Sequence, residues 1–179
     1  MNIQMTLFLV LLGGSSFVCA NDALKTYLDQ YTGTWVGVFT VNAPAIEYEE
    51  SFQVQQKYWW EGGVLRAVSV SRRETGVESS TARNVIDGDK VISLVKKNDV
   101  EQVFYGSLVE EGKGLLWFPA NLERANDYQI KENFSVIDGE RVLVTSGFDT
   151  FDNDGEPAVL TYFGEFVLEP ETKDTDAGE

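Results

Sequence analysis

Most of the chain alternates between apolar and polar side chains with a period of two, which is the pattern of half-buried β-strands. In one such run Phe52, Val54, Tyr58 and Trp60 share a face with Gln56, and polar residues occupy the other face. Asp-Gly steps between the runs are typical of short hairpins. The pattern predicts ten strands, near residues 34–41, 49–60, 64–72, 78–87, 90–97, 101–109, 114–119, 127–137, 141–149 and 158–169.

One segment, residues 22–31, has the period of a helix instead. Its apolar residues recur at helical spacing: Leu24, Tyr27, Leu28 and Tyr31. Asn21 or Asp22 is available as the N-cap, and Gly33 follows the end of the segment. Since no βαβ unit is present, the short strands predict a meander that closes into a barrel or a sandwich.

The first twenty residues have the pattern of a secretory signal peptide. The chain carries no charge from Ile3 to Ala20, and Val18 and Ala20 supply small residues at the −3 and −1 positions. We expect cleavage after Ala20 and a secreted or periplasmic protein. A lipoprotein signal ending at Cys19 and an uncleaved anchor are the alternatives. Residues 21–169 then form the domain, and residues 170–179 form a disordered acidic tail.

The charge and the missing residue types exclude several functions. With 14 basic and 29 acidic residues the formal charge is −15, which disfavours nucleic acid and anionic membranes as partners. The chain has one Cys and no His, so a Ser-His-Asp or Cys-His triad and imidazole ligation are excluded. We expect no cofactor and no metal, and after signal cleavage no stable membrane insertion.

The segment Tyr31-Thr32-Gly33-Thr34-Trp35-Val36-Gly37 places a Gly-x-Trp at the start of the first strand, directly after the helix. This resembles the lipocalin and fatty-acid-binding superfamily, whose opening Trp packs inward at the closed end of a barrel. The segment Tyr58-Trp59-Trp60-Glu61-Gly62-Gly63-Val64-Leu65-Arg66 and the closing Gly164-Glu165-Phe166 also resemble the uncharacterised lipocalin-like family DUF1579.

The resemblance implies an all-β fold: an antiparallel up-and-down β-barrel of about ten strands, of the lipocalin or calycin kind, with a short N-terminal helix. Ten strands are closer to the fatty-acid-binding and nitrobindin-like members than to eight-stranded lipocalins. Lipocalins usually cover the Trp with a basic residue near the end of the last strand, but residues 158–169 contain no Lys or Arg. Nitrobindin-like barrels bind haem through a His, which this chain lacks.

Glu132 is the most informative single residue. It occupies an otherwise apolar stripe with Tyr128, Ile130, Phe134 and Val136, so the alternation directs its carboxylate into the barrel. Such a group either orients a ligand or acts as an acid or base, or else it pairs with an Arg or lies near the wet mouth of the barrel.

Arg66 is the natural partner for an interior carboxylate or for an anionic ligand, if it points inward. Both faces of its strand are apolar, so an outward orientation is equally compatible with the sequence. The fatty-acid carriers hold a ligand carboxylate with interior Arg and Tyr, a role that Arg66 and Tyr162 would fill. The residues predicted to contact a ligand are Phe52, Gln56, Tyr58, Arg66, Trp117, Glu132, Phe134 and Tyr162.

Three functions remain open. The first is a barrel that binds a small hydrophobic or amphipathic molecule, and this is the one the sequence favours. The second is a carboxylate-dependent isomerase or hydrolase that uses Glu132, although no catalytic motif is recognised. The third is a barrel with a filled interior that serves protein–protein interaction. The oligomeric state is not predicted.

The N-terminus of the mature protein tests the expected processing. The intact mass of the exported protein should correspond to a chain that begins at Asn21, because the small residues before it fit signal peptidase. A diacylglyceryl group on Cys19 would contradict this prediction.

Overall fold

A computed structural model describes residues 20–109, 112–121 and 127–170. One α-helix, α1 (Ala20–Asp29), precedes ten strands. A short 3-10 helix, Pro44–Ile46, separates the first two strands. The strands are β1 (Gly33–Ala43), β2 (Tyr48–Glu61), β3 (Val64–Arg73), β4 (Gly76–Asp87), β5 (Lys90–Lys97), β6 (Val100–Val109), β7 (Gly114–Pro119), β8 (Tyr128–Ile137), β9 (Glu140–Asn153) and β10 (Glu156–Leu168).

The strands form a closed antiparallel barrel in which each pairs with its neighbours in sequence and β1 pairs with β10. The predicted all-β, ten-stranded barrel with a short N-terminal helix is therefore confirmed. Several hairpins turn through two residues with positive φ, as at Asp138-Gly139, where φ is 53° and 86°. Such values match the right-handed twist of the flanking strands.

The helix closes one end of the barrel. Leu24, Tyr27, Leu28 and Tyr31 pack on the buried cluster that includes Trp35 and Phe166. Trp35 is fully buried, as the resemblance implies, and its indole Nε1 donates a hydrogen bond to the carbonyl of Tyr31 at 2.7 Å. The helix begins and ends two residues earlier than the spacing predicts, so Asn21 and Asp22 lie inside its first turn rather than at its cap.

The basic residue over Trp35 comes from a different strand than the superfamily pattern implies. Arg141, at the start of β9, places its guanidinium 5.6 Å from the centre of the Trp35 ring. The same group donates a hydrogen bond to the carbonyl of Gln30 at 2.9 Å, just after α1. Arg141 thus ties the helix to the closed end, although β10 carries no basic residue.

Ion pairs span one side of the opposite, open end. Arg73 on β3 donates from Nε to both carboxylate oxygens of Glu50 at 3.0 and 3.1 Å, and its Nη1 lies 3.6 Å from Glu78. Lys97 on β5 donates to Glu78 at 2.8 Å. The hydrogen bonds from Arg73 hold the pKa of Glu50 down to about 2, so the pair remains charged at neutral pH.

Residues 1–19 of the predicted signal peptide and residues 171–179 of the predicted tail lie outside the described residues. Within the described part of the chain, no helix is both long and apolar enough to cross a membrane.

Truncation of the buried Trp tests the packing of the closed end. Trp35→Ala should lower the free energy of unfolding by about 3–5 kcal/mol, because it removes a large aromatic side chain from the core and leaves a cavity. Urea denaturation measures this loss. Trp59→Ala, on the outer face of β2, is the matched control and should cost less than half as much. Equal costs for the two variants would contradict the assignment of Trp35 to the core.

Candidate functional site

The barrel interior contains a cavity of about 240 Å³. It begins at the closed end, against Leu28 and Tyr31, and extends toward the level of Phe39 and Tyr128. Its walls are mainly apolar and aromatic, with a few polar groups among them. The lining residues are Leu28, Tyr31, Phe39, Gln56, Tyr58, Leu65, Ala82, Asn84, Ser93, Val95, Phe104, Trp117, Tyr128, Ile130, Glu132, Thr145 and Phe166.

Glu132 lines this cavity from the middle of β8. Its side chain therefore points into the barrel, as the alternation of apolar and polar residues along the strand predicts. Its Oε2 accepts hydrogen bonds from Tyr31 Oη at 2.7 Å and from Trp117 Nε1 at 2.6 Å. Its Oε1 receives one longer contact, from Thr145 Oγ1 at 3.4 Å. The two strong donors therefore converge on one oxygen and leave the other with little hydrogen bonding.

Burial raises the pKa of Glu132, because removal from water disfavours the charged form. The hydrogen bonds from Tyr31, Trp117 and Thr145 act in the opposite direction, but they do not cancel the effect of burial. All three donors are uncharged. An Arg or Lys partner would stabilise the carboxylate much more, and among the described residues none lies within 4 Å of it.

The tyrosines around Glu132 stay protonated at physiological pH. Burial, and then the nearby Glu132 charge, raise the pKa values of Tyr27, Tyr31 and Tyr58 far above the ordinary value. Tyr27 Oη donates to the backbone carbonyl of Glu132 at 2.8 Å, so two tyrosines tie the helical segment to one residue of β8. Tyr58 Oη bonds to Gln56 at 3.2 Å instead.

A glycine on the neighbouring strand makes room for Trp117. Gly106 on β6 pairs with Trp117 on β7, and a Cβ at Gly106 would meet the indole at 2.7 Å. The absence of a side chain at this position lets the indole lie across β6 with its Nε1 directed to Glu132. Gly106 is therefore a positioning residue for the carboxylate.

Four of the predicted site residues meet at the cavity: Gln56, Tyr58, Trp117 and Glu132. Phe134 points inward but belongs to the core, with ring contacts to Tyr27, Tyr31 and Trp35. Phe52 and Tyr162 also point inward and lie on either side of Phe39, outside the cavity lining.

The structure corrects two expectations: that Arg66 contacts a ligand, and that Val136 belongs to a buried stripe with Glu132. Arg66 lies on the outer face of β3, because its neighbours Leu65 and Ala67 are the residues that point into the core. Its Nε is 2.9 Å from Oε2 of Glu61, and it does not pair with Glu132. Val136 is 69% exposed, since β8 runs past the end of the core there.

The structure adds polar groups that the prediction omitted. Asn84, Ser93 and Thr145 are buried and line the cavity, and Asn84 donates to the carbonyl of Leu65 at 3.0 Å. Ser93 lies between Val91 and Val95 on one face of its strand, the same signal that identified Glu132. A polar residue within an apolar stripe therefore indicates Ser93 as well as Glu132, and applying this signal along the whole chain would have found more of the cavity lining.

No group of three or more His, Cys, Asp or Glu side chains among the described residues is placed to hold a metal ion. The acidic segment Asp152-Asn153-Asp154-Gly155 forms the hairpin between β9 and β10, where Asp152 Oδ1 accepts a hydrogen bond from the Gly155 amide at 3.1 Å. This side-chain hydrogen bond spans three residues and closes the turn of the hairpin.

Comparison with known proteins identifies the fold. No protein-family model and no curated protein matches the chain. The structure of the S-type phycobiliprotein lyase CPES from Guillardia theta is similar over 83% of this chain and 94% of its own, with a TM-score of 0.56 and 10% identity. Rv2717c from M. tuberculosis is similar over 83% and 98%, with a TM-score of 0.54 and 14% identity. The likeness supports a barrel of the lipocalin-like, calycin kind.

The raised pKa of Glu132 predicts a characteristic dependence of stability on pH. The folded protein holds this proton more tightly than the unfolded chain, whose Glu titrates near 4.5. The contribution of Glu132 to stability is therefore fully present below that pH and declines as the pH rises through the folded-state pKa. Relative to Glu132→Gln, the wild-type free energy of unfolding should fall by about 1.4 kcal/mol for each pKa unit of the shift.

Urea denaturation of both proteins from about pH 4 to about pH 8 measures this difference. Glu165→Gln, an exposed outer-face position on β10, is the control for the loss of one charge. A wild-type advantage over Glu132→Gln that grows with pH would contradict the prediction.

Proposed function

We propose that this protein is an exported barrel that binds a compact, mostly apolar small molecule in its interior. The observation that carries the proposal is the aromatic cavity beside Glu132. Ligand sites are typically concave and apolar, with a small number of polar groups that fix orientation, and this cavity has that composition. Export rests on the sequence of residues 1–20, and the mature N-terminus tests it independently of binding.

The size of the cavity favours a small ligand. Drug-sized molecules occupy cavities of roughly 300–1,000 Å³, and this one is about 240 Å³. A single aromatic ring with a short substituent is the scale of molecule that such a volume accommodates. The interior is also not filled by its own side chains, so the cavity argues against a barrel packed solid for protein–protein interaction.

The charges argue against a fatty-acid carrier. Among the described residues, no Lys or Arg lines the cavity, and Arg66 is on the outer face. A ligand carboxylate would therefore meet the buried Glu132 without a compensating cation. The resemblance to DUF1579 remains a prediction at the family level, and it is compatible with a lipocalin-like ligand-binding barrel.

A second candidate is an enzyme in which Glu132 transfers a proton. The favouring observation is a buried carboxyl group in a cavity, with a raised pKa and one oxygen that is weakly hydrogen bonded. A structurally similar barrel is named a phycobiliprotein lyase, so the fold is compatible with chemistry. Incubation of the protein with a bound ligand in D2O distinguishes a binding protein from an enzyme. A binding protein leaves the ligand unchanged, whereas an isomerase converts it to an isomer or incorporates deuterium into it.

Native mass spectrometry of protein purified from its own source is the most direct search for the natural ligand. We expect a small organic molecule to be retained and to be released on unfolding. A variant with a filled cavity, purified in the same way, should carry none.

Filling the cavity tests the proposed site. Ala82→Phe places a ring into the space between Ala67 and Val95, and should weaken binding of 2-phenylethanol at least tenfold. Titration calorimetry or ligand-observed NMR measures the affinity. Thr81→Phe adds the same ring on the exposed outer face of β4 and should leave the affinity unchanged. Equal binding to wild type and Ala82→Phe would show that the cavity is not the site.

A further inference from the structure

The carboxylate of Glu132 has no cationic partner in the described structure. Its hydrogen bonds come from a phenol, an indole and a hydroxyl, all of them neutral. A buried carboxylate is ordinarily paired with a cation or protonated. The interior therefore holds a carboxyl group that, once ionised, has no counter-charge among the surrounding described residues.

The inward-facing cations of the described strands are already engaged elsewhere. At the open end, Arg73 and Lys97 are neutralised by Glu50 and Glu78. At the closed end, Arg141 lies over Trp35 and bonds to a helical carbonyl. None of these three residues lines the cavity.

Aromatic side chains surround the same carboxylate. Tyr31 and Trp117 contact it directly, and Tyr58, Phe104 and Tyr128 line the adjoining space. Electron-rich ring faces attract ammonium groups, and this attraction strengthens where water is excluded. A carboxylate among aromatic rings is thus complementary to an organic cation, and it is poorly suited to an anion.

We propose that the ligand of the cavity is a small organic amine, bound as its ammonium ion with the nitrogen on Glu132 and the apolar part against the aromatic wall. This inference rests on the proposed function and specifies its ligand class. The ammonium group donates to the weakly bonded Oε1, while Tyr31 and Trp117 hold Oε2 in place. The net charge of −15 adds a long-range attraction for cations.

Binding of the amine is coupled to ionisation of Glu132. The other titratable groups that face the carboxyl are Tyr27 and Tyr31 from the helical segment and Tyr58 from β2, all of which stay protonated. Trp117 and Thr145 face it from β7 and β9 and do not titrate. An alkylammonium keeps its proton to about pH 10, so Glu132 is the group whose titration should control the affinity.

Three probes of nearly equal shape test the proposal: 2-phenylethylamine, 2-phenylethanol and phenylacetate, which are a cation, a neutral molecule and an anion. At about pH 7.5 the wild type should bind the amine roughly 10- to 100-fold more tightly than the alcohol, and phenylacetate least tightly. Glu132→Gln should abolish the preference for the amine, because it should lower the affinity for the amine much more than the affinity for the alcohol. Glu165→Gln removes one exposed carboxylate of the same type and should keep the preference.

The outcomes separate this inference from the proposed function. Equal affinity for amine and alcohol in the wild type, or a preference that Glu132→Gln retains, would overturn the amine assignment and leave ligand binding in the cavity intact. Failure of all three probes to bind would overturn both. The wild type alone gives an independent measurement: the preference for the amine should grow as the pH rises through the folded-state pKa of Glu132, and a preference that stays constant across that titration would overturn the inference.

Discussion

The burial of one carboxylate constrains the closed end of this barrel. Glu132 lies in the middle of β8 and faces the cavity instead of bulk solvent, so hydrogen-bond donors within the protein are needed to stabilise its oxygens. Tyr31, Trp117 and Thr145 supply them from the helical segment, β7 and β9. The backbone carbonyl of the same residue accepts a hydrogen bond from the hydroxyl of Tyr27. One residue thus links the helix to three adjacent strands.

The ionic groups are arranged differently at the surface and in the interior of the barrel. At the open end the charges occur in pairs, with Arg73 and Lys97 each matched by a carboxylate. Such partly exposed pairs contribute modestly to stability because water screens them. Inside, a single carboxyl is held by neutral donors, which costs stability whenever the group is ionised. A neutral Gln could accept the same hydrogen bonds from Tyr31 and Trp117, whereas only the carboxyl can provide a negative charge to the proposed ammonium ligand.

Local alternation was sufficient to predict the ten strands and the inward direction of Glu132, because period-two patterning has a direct structural meaning. Alternation could not predict the direction of the Arg66 side chain, because Val64, Val68 and Val70 make the outer face of β3 as apolar as its inner face. The side chains of Leu65 and Ala67 are inside only because of how β3 pairs with β2 and β4.

The hydrogen-bond partners of Glu132 could not be predicted, because they are set by the strand register and by the closure of the barrel, which cannot be read from the sequence. Tyr31 is 101 residues away along the chain, and its helical spacing indicated only an apolar face. The role of Gly106 becomes visible only when β6 is paired with β7, which places it against Trp117. Arg141 covers Trp35 from β9, although the superfamily pattern directed attention to the last strand. Each of these contacts follows from three-dimensional neighbours and not from spacing.

The ionisation of Glu132 in the free and the amine-bound protein decides whether this carboxyl is the cation-binding group of the cavity. A ¹³C-detected NMR titration of its side-chain carboxyl, assigned by comparison with Glu132→Gln, gives the pKa in the free protein and in the complex with 2-phenylethylamine. We expect a pKa above the ordinary value of 4.5 in the free protein and a marked fall when the amine is bound. An ordinary pKa in the free protein that the amine leaves unchanged would contradict this expectation.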